Sequence, residues 1–199
     1  MPHRRSSAQS LDQQPPAVQT GSVVIVITGP IASGKSTVAG ELARRLGLMG
    51  VRVALIDLDL VYDQLIATGS PPDDSTWLMA RRNTATAANA HLDHGVAVVI
   101  ADGSFNLPSD RAVLRKHLEA SADLVFVTLR VSFAEALHRA QADPTRGRSQ
   151  DPEFLGSHFS ARRDVLAATP TTDIVIDTER TTTQAAAATI ARFVGPVED

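Results

Sequence analysis

The sequence predicts a three-layer α/β/α fold, in which a parallel sheet of five strands lies between two layers of helices. Three observations lead to this prediction. Apolar runs rich in Val, Ile, Leu and Ala alternate with segments of helical periodicity, a glycine-containing loop joins the first strand to the first helix, and acidic residues follow the second and third apolar runs. Ligands of such sheets bind at the carboxyl ends of the strands, so a functional site is expected there.

The strands are predicted from apolar runs bounded by turn residues. They cover residues 23–28, 52–57, 96–101, 124–130 and 173–177. Helices are predicted between them, with capping boxes at 132–135 and 181–184 opening two helices and Gly195-Pro196 ending the last one. The segment 143–157 lacks regular periodicity, so we predict an irregular loop that acts as a lid.

The composition fits one globular domain preceded by a polar tail. The chain has 199 residues, of which 43% are hydrophobic, a formal net charge of −3 and no cysteine. A negative net charge does not favour binding to nucleic acid or to an anionic membrane. No apolar run reaches the length of a membrane span. The lack of cysteine excludes disulfides and thiol catalysis and is typical of a cytoplasmic protein. Residues 1–21, rich in Ser, Gln and Pro, are predicted to be disordered, and residues 22–199 to form the single domain.

The loop after the first strand fits the phosphate-binding pattern of glycine, four residues and Gly-Lys-Ser. In this pattern the glycines let backbone N–H groups approach phosphate oxygens, the lysine adds a positive charge and the serine hydroxyl can bind Mg²⁺. A strand before the loop and a helix after it argue against a glycine turn that binds nothing. The residues predicted to bind nucleotide phosphates are Gly29, Ile31, Ala32, Ser33, Gly34, Lys35, Ser36 and Thr37.

Carboxylates follow the second and third strands, at the edge of the sheet where the phosphate loop begins. The second strand runs into Asp57 and Asp59, and the third into Asp102. Phosphoryl transfer needs a metal near the phosphates and a partner for the incoming hydroxyl, and acids at strand ends can supply both. Asp102 fits the carboxylate that binds Mg²⁺ directly or through water. Asp57 or Asp59 can instead be the N-cap of the next helix, an alternative that stays open above all for Asp57.

Arginines around the predicted lid can stabilise negative charge on a transferred phosphoryl group. Arg139 precedes the lid, and Arg146 and Arg148 lie within it. We predict that these three contact the nucleotide, and that the loop favours Arg146 and Arg148 for the catalytic role; the alternative is that they are solvated surface side chains. Arg81 and Arg82 either meet an anionic substrate or cover the exposed face of their helix.

The phosphate loop and the acidic strand end resemble those of the small-molecule kinase branch of the P-loop NTPase fold, which includes shikimate, gluconate and chloramphenicol kinases. The resemblance covers about residues 23–194 and implies the strand order 2-3-1-4-5. It implies that Asp59 orients the acceptor hydroxyl and that Asp57 helps to hold Mg²⁺ through water. It also implies that Arg146 or Arg148 contacts the phosphates of ATP.

The same resemblance implies that adenine lies near residues 177–180. One departure concerns the turn after the third strand, which is glycine-rich in shikimate kinases. Here that turn reads Asp102-Gly103-Ser104-Phe105-Asn106. We therefore assign no particular acceptor.

The predicted function is an ATP- and Mg²⁺-dependent phosphotransferase that moves the γ-phosphoryl group to a hydroxyl of a small molecule. The catalytic residues in this hypothesis are Lys35, Asp59, Arg146 and Arg148, and those around the metal are Ser36, Asp57 and Asp102. One alternative is a nucleoside or nucleotide kinase, in which Arg81 and Arg82 would bind a substrate phosphate. Another is a nucleotide-binding or ATPase module without transfer, although Asp102 is followed by Gly where hydrolytic ATPases use Glu. The expected partners are ATP and the hydroxyl substrate, without nucleic acid or membrane, and the chain is either a monomer or a dimer.

Overall fold

A parallel sheet of five strands forms the centre of the molecule. The computed structural model describes residues 21–164, 170 and 173–194. Its strands are β1 (Val23–Thr28), β2 (Val53–Asp57), β3 (Val98–Asp102), β4 (Asp123–Arg130) and β5 (Ile174–Asp177). They lie side by side in the order β2-β3-β1-β4-β5, and all neighbouring pairs are parallel. The predicted fold class and strand order are confirmed, with strand ends that differ by one or two residues from the prediction.

Helices cover both faces of this sheet. Their bounds are α1 (Lys35–Leu48), α2 (Leu58–Ala67), α3 (Asp74–Asp93), α4 (Pro108–His117), α5 (Phe133–Ala142), a 3₁₀ helix (Pro144–Gln150), α6 (Pro152–Ala161) and α7 (Thr183–Val194). In the part of the chain that the structure describes, no helix combines the length and the apolar character needed to cross a bilayer. Residues 1–20 of the predicted tail, and Gly195-Pro196 after α7, lie outside the described residues.

Alternate residues of β1 pack into two separate cores. Val23, Ile25 and Ile27 share one cluster with apolar side chains of α1 and α7. Val24 and Val26 share the other with side chains of α2, α3 and α4. Every residue of β1 is buried, and burial on both faces of the sheet explains why residues 23–27 are all apolar. Polar chemistry is therefore confined to the strand ends.

The segment after α5 is more helical than predicted, although a kink at Gly147 (φ +50°) interrupts its 3₁₀ part. The sequence predicted an irregular loop over 143–157, but the 3₁₀ helix and the start of α6 occupy most of it. The carboxylate of Asp143 caps the first helix by accepting from the backbone N–H of Thr145 (3.0 Å), and that of Asp151 caps the second through Glu153 (2.9 Å). The proline after each cap stands at the first helical position, where proline is tolerated.

Two predicted capping boxes have different outcomes. The hydroxyl of Ser132 accepts from the backbone N–H of Glu135 (3.2 Å) and caps α5, but the N–H of Ser132 donates to the carboxylate of Glu179 instead of Glu135, so only half of the predicted box forms. At α7 the cap is Thr182, which accepts from the N–H of Ala185 (3.2 Å), rather than Thr181. The helix thus begins one residue later than the sequence pattern predicted.

Gly103, directly after β3, is expected to be sensitive to substitution. Its φ is +151°, and a Cβ there would lie 2.5 Å from the Cβ of Leu58. Leu58 is fully buried, so it has little room to move. We expect Gly103→Ala to lower the free energy of unfolding by about 1–3 kcal/mol, measured by urea denaturation.

Gly40→Ala is the matched control, because Gly40 lies inside α1 with open space around its Cβ position. A helix favours alanine over glycine, so this variant should be neutral or more stable by up to about 1 kcal/mol. Equal losses of stability in both variants would contradict the packing argument.

Candidate active site

A cleft of about 710 Å³ lies at the carboxyl ends of β1, β2 and β3. The phosphate loop and the start of α1 line it, together with parts of α2, α3, α4, α6, the 3₁₀ helix and the loop after β3. The polar side chains that line it include Lys35, Ser36, Thr37, Asp59, Arg81, Asn106, Asp110, Arg146, His158 and Arg162. The cleft thus joins residues predicted from the sequence with others that were not singled out.

Positive φ angles bend the phosphate loop. They occur at Gly29 (+152°), Ala32 (+60°) and Gly34 (+89°). At Gly29 a Cβ would also lie 2.6 Å from the carbonyl oxygen of Leu129, so only glycine fits against β4. The hydroxyl of Ser33 is buried and has no hydrogen-bond partner among the described residues. The first N–H groups of α1 have no partner within the helix, which favours an anion at this position.

The ammonium group of Lys35 lies across the loop. Its Nζ donates to the backbone carbonyls of Gly29 (3.3 Å) and Pro30 (3.1 Å). Burial lowers the pKa of Lys35, while the charges of Asp59 and Asp102 raise it. The loop carbonyls therefore orient a positive charge in the cleft.

A hydrogen bond between Ser36 and Asp102 joins the first helix to the third strand. The hydroxyl of Ser36 donates to Oδ2 of Asp102 at 2.6 Å. Asp102 is only 2% exposed, and this burial raises the pKa of Asp102 to about 6, although the Ser36 hydrogen bond acts in the opposite direction. The strand register sets Asp102 beside Ile27 of β1 and Asp57 of β2.

This pair fits the needs of a magnesium site that is shared with a nucleotide. A hydroxyl and a carboxylate are hard oxygen ligands, and Mg²⁺ usually combines one or two of them with phosphate oxygens and water. Over residues 21–164, 170 and 173–194, no three or more His, Asp or Glu side chains form a group that could hold a metal by themselves. The donor set is therefore of the kind that a nucleotide completes.

Asp57 and Asp59 are arranged differently at the end of β2. Asp57 is the N-cap of α2, because its carboxylate accepts from the backbone N–H of Asp59 (2.8 Å) and Leu60 (3.4 Å). The capping alternative is thus confirmed for Asp57, and its predicted part in the metal site stays a prediction. Asp59 stands in the first turn of α2 and lines the cleft. The surrounding protein raises the pKa of Asp59 by desolvation, whereas the Lys35 ammonium lowers it.

The two arginines of the 3₁₀ helix face different surroundings. Arg146 lines the cleft, and its charge lowers the pKa of Lys35. It also pairs with Asp143 at 3.2 Å. Arg148 instead lies over the ring of Phe154, with its guanidinium carbon 4.7 Å from the ring centroid. The structure therefore brings Arg146, but not Arg148, together with the phosphate loop.

A second pocket, of about 720 Å³, lies at the carboxyl ends of β4 and β5. Phe133 and Phe159 contribute aromatic surface to it, and Asp177 and Glu179 come from the turn that was predicted to lie near adenine. Arg139 braces this turn by donating to the hydroxyl (3.0 Å) and the carbonyl (2.8 Å) of Thr178. Arg139 thus supports the turn beside the second pocket, but its own side chain lines neither that pocket nor the first cleft.

Four polar residues of the cleft form what we call the donor wall: Arg81, Asn106, His158 and Arg162. The sequence left Arg81 and Arg82 as equal candidates, and only Arg81 lines the cleft, whereas Arg82 is exposed outside it. Arg81 lies over the ring of Trp77 at 5.8 Å, four residues earlier on α3. This i,i+4 spacing is a signal that could have separated the two arginines.

Asn106 was not predicted, because its position depends on contacts between distant segments. Its Oδ1 accepts from the hydroxyl of Thr28 (2.9 Å), which in turn accepts from the backbone N–H of Phe105 (3.0 Å). Arg111 donates to the carbonyl of Phe105 (3.1 Å) and forms two hydrogen bonds of 2.8 Å with the buried carboxylate of Asp173. These contacts fix the loop after β3, and no local sequence pattern announces them.

His158 and Arg162 pair on one face of the α6 segment. Nη1 of Arg162 lies 3.0 Å from Nδ1 of His158. Burial lowers the pKa of His158 to about 4, and the charges of Arg162 and Lys35 contribute to this shift. Since a guanidinium only donates, Nδ1 is the acceptor and the proton of the neutral ring is on Nε2. His158 was not predicted from the sequence, because a lone histidine carries no pattern that would have identified it.

Comparisons with known proteins agree with this architecture. Residues 25–156 match a family model described as AAA domain. One similar solved structure is an unliganded sugar kinase from Janibacter sp. HTCC2649 (22% identity, TM-score 0.66, 88% of this chain and 96% of that chain covered). A gluconokinase from Sinorhizobium meliloti 1021 has 21% identity and a TM-score of 0.58, with coverage of 88% and 94%.

A third similar structure is an APS kinase from Mycobacterium tuberculosis in complex with AMPPNP and APS. It has 19% identity and a TM-score of 0.61, and the match covers 87% of this chain and 98% of that chain. At such identities the likeness shows a shared fold, which is the fold implied by the resemblance to P-loop small-molecule kinases. The search of curated protein sequences gave no match.

The lowered pKa of His158 predicts a loss of stability in acid. The folded protein resists protonation until about pH 4, whereas the unfolded chain takes up the proton near its ordinary value of 6.5. Stability is therefore lost as the pH falls from 6.5 towards 4. Over the interval from pH 7.5 to pH 5 this shift corresponds to about 2 kcal/mol, and solvent screening of the partly exposed ring lowers the effect. We therefore expect His158→Gln, which keeps an acceptor for Arg162, to reduce the difference in unfolding free energy between these pH values by about 1–2 kcal/mol.

His138→Gln, at an exposed position of α5, serves as the control and should keep the wild-type pH dependence. The measurement is urea denaturation of all three proteins at both pH values. An unchanged difference in His158→Gln would show that this histidine is not the group responsible.

Proposed function

The chain belongs to the AAA-domain family, and from this premise we propose that it is an ATP- and Mg²⁺-dependent phosphotransferase. It moves the γ-phosphoryl group of ATP to a hydroxyl of a small molecule. The observation that carries the proposal is that Lys35 and Asp59 line the same cleft and that the charge of each acts on the other. The cleft has room for an acceptor beside the phosphate loop. The kinase folds of the similar solved structures support the same reaction class.

In this proposal the phosphate loop binds the β- and γ-phosphates. The backbone N–H groups at the start of α1 donate to phosphate oxygens, and Lys35 moves from the loop carbonyls to the phosphates. Ser36 and Asp102, with Asp57 through water, would hold Mg²⁺. The bound ion would neutralise negative charge on the phosphates. The second pocket, with the turn braced by Arg139, is the proposed place of adenine.

Asp59 is the proposed partner of the acceptor hydroxyl. The hydroxyl oxygen forms a bond to the γ-phosphorus, and the bond from that phosphorus to the bridging oxygen breaks, which leaves ADP. The hydroxyl proton passes to the carboxylate of Asp59, whose raised pKa makes it a stronger base than an exposed aspartate. Lys35 and Arg146 stabilise the negative charge of the transferred group.

A nucleoside or nucleotide kinase is the second candidate, because the same machinery would serve it. In that case Arg81, which lines the cleft, would bind a phosphate of the substrate, whereas Arg82 does not line the cleft. An ATPase without an acceptor has less support, since Gly103 follows Asp102 and offers no side chain to orient water.

The function is tested by incubating the full chain with ATP, Mg²⁺ and a panel of sugars, sugar acids, antibiotics, nucleosides and nucleoside monophosphates. Mass spectrometry should detect transfer to one class of acceptor. We expect Asp59→Asn to lower kcat by roughly 100- to 10,000-fold, because it removes the base, while ATP affinity measured by calorimetry stays close to wild type.

Asp93→Asn, an exposed substitution at the end of α3, is the matched control and should keep the wild-type kcat. Phosphate transfer to water alone would contradict the proposal. So would full activity in Asp59→Asn.

Arg146 and Arg148 are expected to contribute unequally. Since only Arg146 lines the cleft beside Lys35, Arg146→Ala should lower kcat by roughly 100-fold, as the loss of one charge-stabilising donor does. Arg148→Ala should have a clearly smaller effect, because its guanidinium group packs on Phe154. Steady-state kinetics of both variants at saturating ATP checks this order, and a larger loss in Arg148→Ala would reverse the assignment.

A further inference from the structure

We infer that His158 is a further catalytic residue, whose Nε2–H donates a hydrogen bond to the γ-phosphoryl group of the bound nucleotide and keeps this contact during transfer. The inference rests on the proposed function, because it needs a nucleotide on the phosphate loop. For the place of His158 it rests on the packing of α6 against that loop, on an unpaired ring nitrogen and on the contact with Arg162.

Helix α6 packs directly against the phosphate loop. Ala32 of the loop and Leu155 of α6 are buried in one apolar cluster, and Ile31 and Phe159 pack against it. His158 lies three positions after Leu155, so the two side chains are neighbours on the surface of α6. The packing of α6 therefore fixes His158 beside the loop that is proposed to bind the phosphates.

The side chain of His158 lies in the part of the cleft that contains Lys35. It lines the cleft together with Lys35, Ser36 and Arg146. The charge of Lys35 acts on His158, and the charge of Arg146 acts on Lys35. The imidazole of His158 and the guanidinium of Arg146 are therefore both close to the ammonium group that is proposed to stabilise the transferred phosphoryl group.

The Nε2 atom of His158 is a hydrogen-bond donor that lacks an acceptor. Arg162 donates to Nδ1 at 3.0 Å, so the proton of the neutral ring is on Nε2. This atom is buried, and no group in the described part of the chain accepts from it. A buried N–H without an acceptor costs free energy, which an oxygen of a ligand would recover. The phosphate oxygens of a nucleotide on the loop are acceptors of this kind.

The guanidinium of Arg162 keeps the ring of His158 neutral when phosphates are bound. A second proton would have to be on Nδ1, which already accepts from Arg162 and would then face another donor. The ring therefore donates a hydrogen bond without releasing or taking up a proton. The proton of the acceptor hydroxyl still passes to Asp59, and the balance of the proposed reaction is unchanged.

The ring nitrogen differs from the two nearby cations because it has no competing acceptor among the described residues. Lys35 donates to two carbonyls of the phosphate loop, and Arg146 pairs with Asp143 at 3.2 Å. Nε2 of His158 gives up no such contact when it meets a phosphate. Because the oxygens of the phosphoryl group stay negatively charged during transfer, a fixed donor to them stabilises the transition state.

The experiment compares the wild type with His158→Phe and His158→Gln, each as the full chain with Mg²⁺. The first variant keeps an aromatic ring and loses the N–H, whereas the second keeps an N–H and an acceptor for Arg162. Calorimetry measures the affinity for ADP and for AMPPNP, which carries a γ-phosphoryl group and is not cleaved. We expect His158→Phe to keep the wild-type affinity for ADP and to bind AMPPNP roughly 10-fold more weakly, as the loss of one hydrogen bond to a charged group predicts.

Turnover of the acceptor found in the panel gives the second readout. His158→Phe should lower kcat by roughly 10- to 100-fold with little change in the KM of the acceptor, and His158→Gln should recover most of this loss. His138→Phe, at an exposed position of α5, is the matched control and should keep the wild-type affinities and kcat.

A wild-type kcat in His158→Phe would overturn this inference and leave the proposed function intact. So would equal weakening of ADP and AMPPNP, which indicates a structural role, or a loss confined to the KM of the acceptor, which places Nε2 on the acceptor. The proposed function has a separate readout. If no acceptor is phosphorylated by the wild type while His158→Phe still binds AMPPNP, but not ADP, more weakly, the transfer reaction fails and the contact with the γ-phosphoryl group stands.

Discussion

Parallel pairing of the buried strand β1 with β3 is the constraint on which the rest of the site depends. Both faces of β1 are covered by apolar helices, so charged groups are excluded everywhere except at the ends of the strand. The register sets Asp102 beside Ile27 at that end, where its carboxylate meets the hydroxyl of Ser36 at 2.6 Å. A shift of one residue would turn Asp102 to the opposite face of the sheet. Packing of the core therefore also determines the geometry of the candidate metal ligands.

The electrostatics of the cleft follow from crowding charged groups at this one edge. Burial disfavours the ionised forms, so the pKa of Lys35 is lowered while the pKa values of Asp59 and Asp102 are raised. The attraction between the Lys35 ammonium and the carboxylates of Asp59 and Asp102 only partly offsets this free-energy cost of burial. An environment of this kind gains from a ligand that brings both negative phosphates and a cation. Shifted pKa values in three groups at one edge of the sheet are typical of functional sites.

The two halves of the cleft are built by different kinds of interaction. The phosphate loop is local, since its shape comes from backbone conformations at Gly29 and Gly34 and from the helix that follows. The donor wall is assembled from α3, the loop after β3 and the α6 segment. Arg111 of α4 holds that loop by donating to the carbonyl of Phe105, and its guanidinium is itself paired with Asp173, directly before β5. The half with the phosphate loop can thus be recognised in sequence, whereas the half with the donor wall follows from the packing of distant segments. The proposed function assigns acceptor recognition to this second half, which local sequence describes least.

The sequence by itself determined the sheet, its five strands and the phosphate loop, because continuous apolar runs and the Gly-Lys-Ser pattern are local features with a direct physical meaning. It also identified the carboxylates of Asp59, which lines the cleft, and of Asp102, which accepts from Ser36 at the cleft, since parallel strands bring their carboxyl ends to one edge. It could not decide between Arg81 and Arg82 or between Arg146 and Arg148, and it did not find Asn106 or His158. Those positions depend on which face of a helix is turned to the cleft and on hydrogen bonds such as that between Thr28 and Asn106, which are 78 residues apart. Only the tertiary structure decides them, because the energy of such contacts exists only after distant segments have packed together.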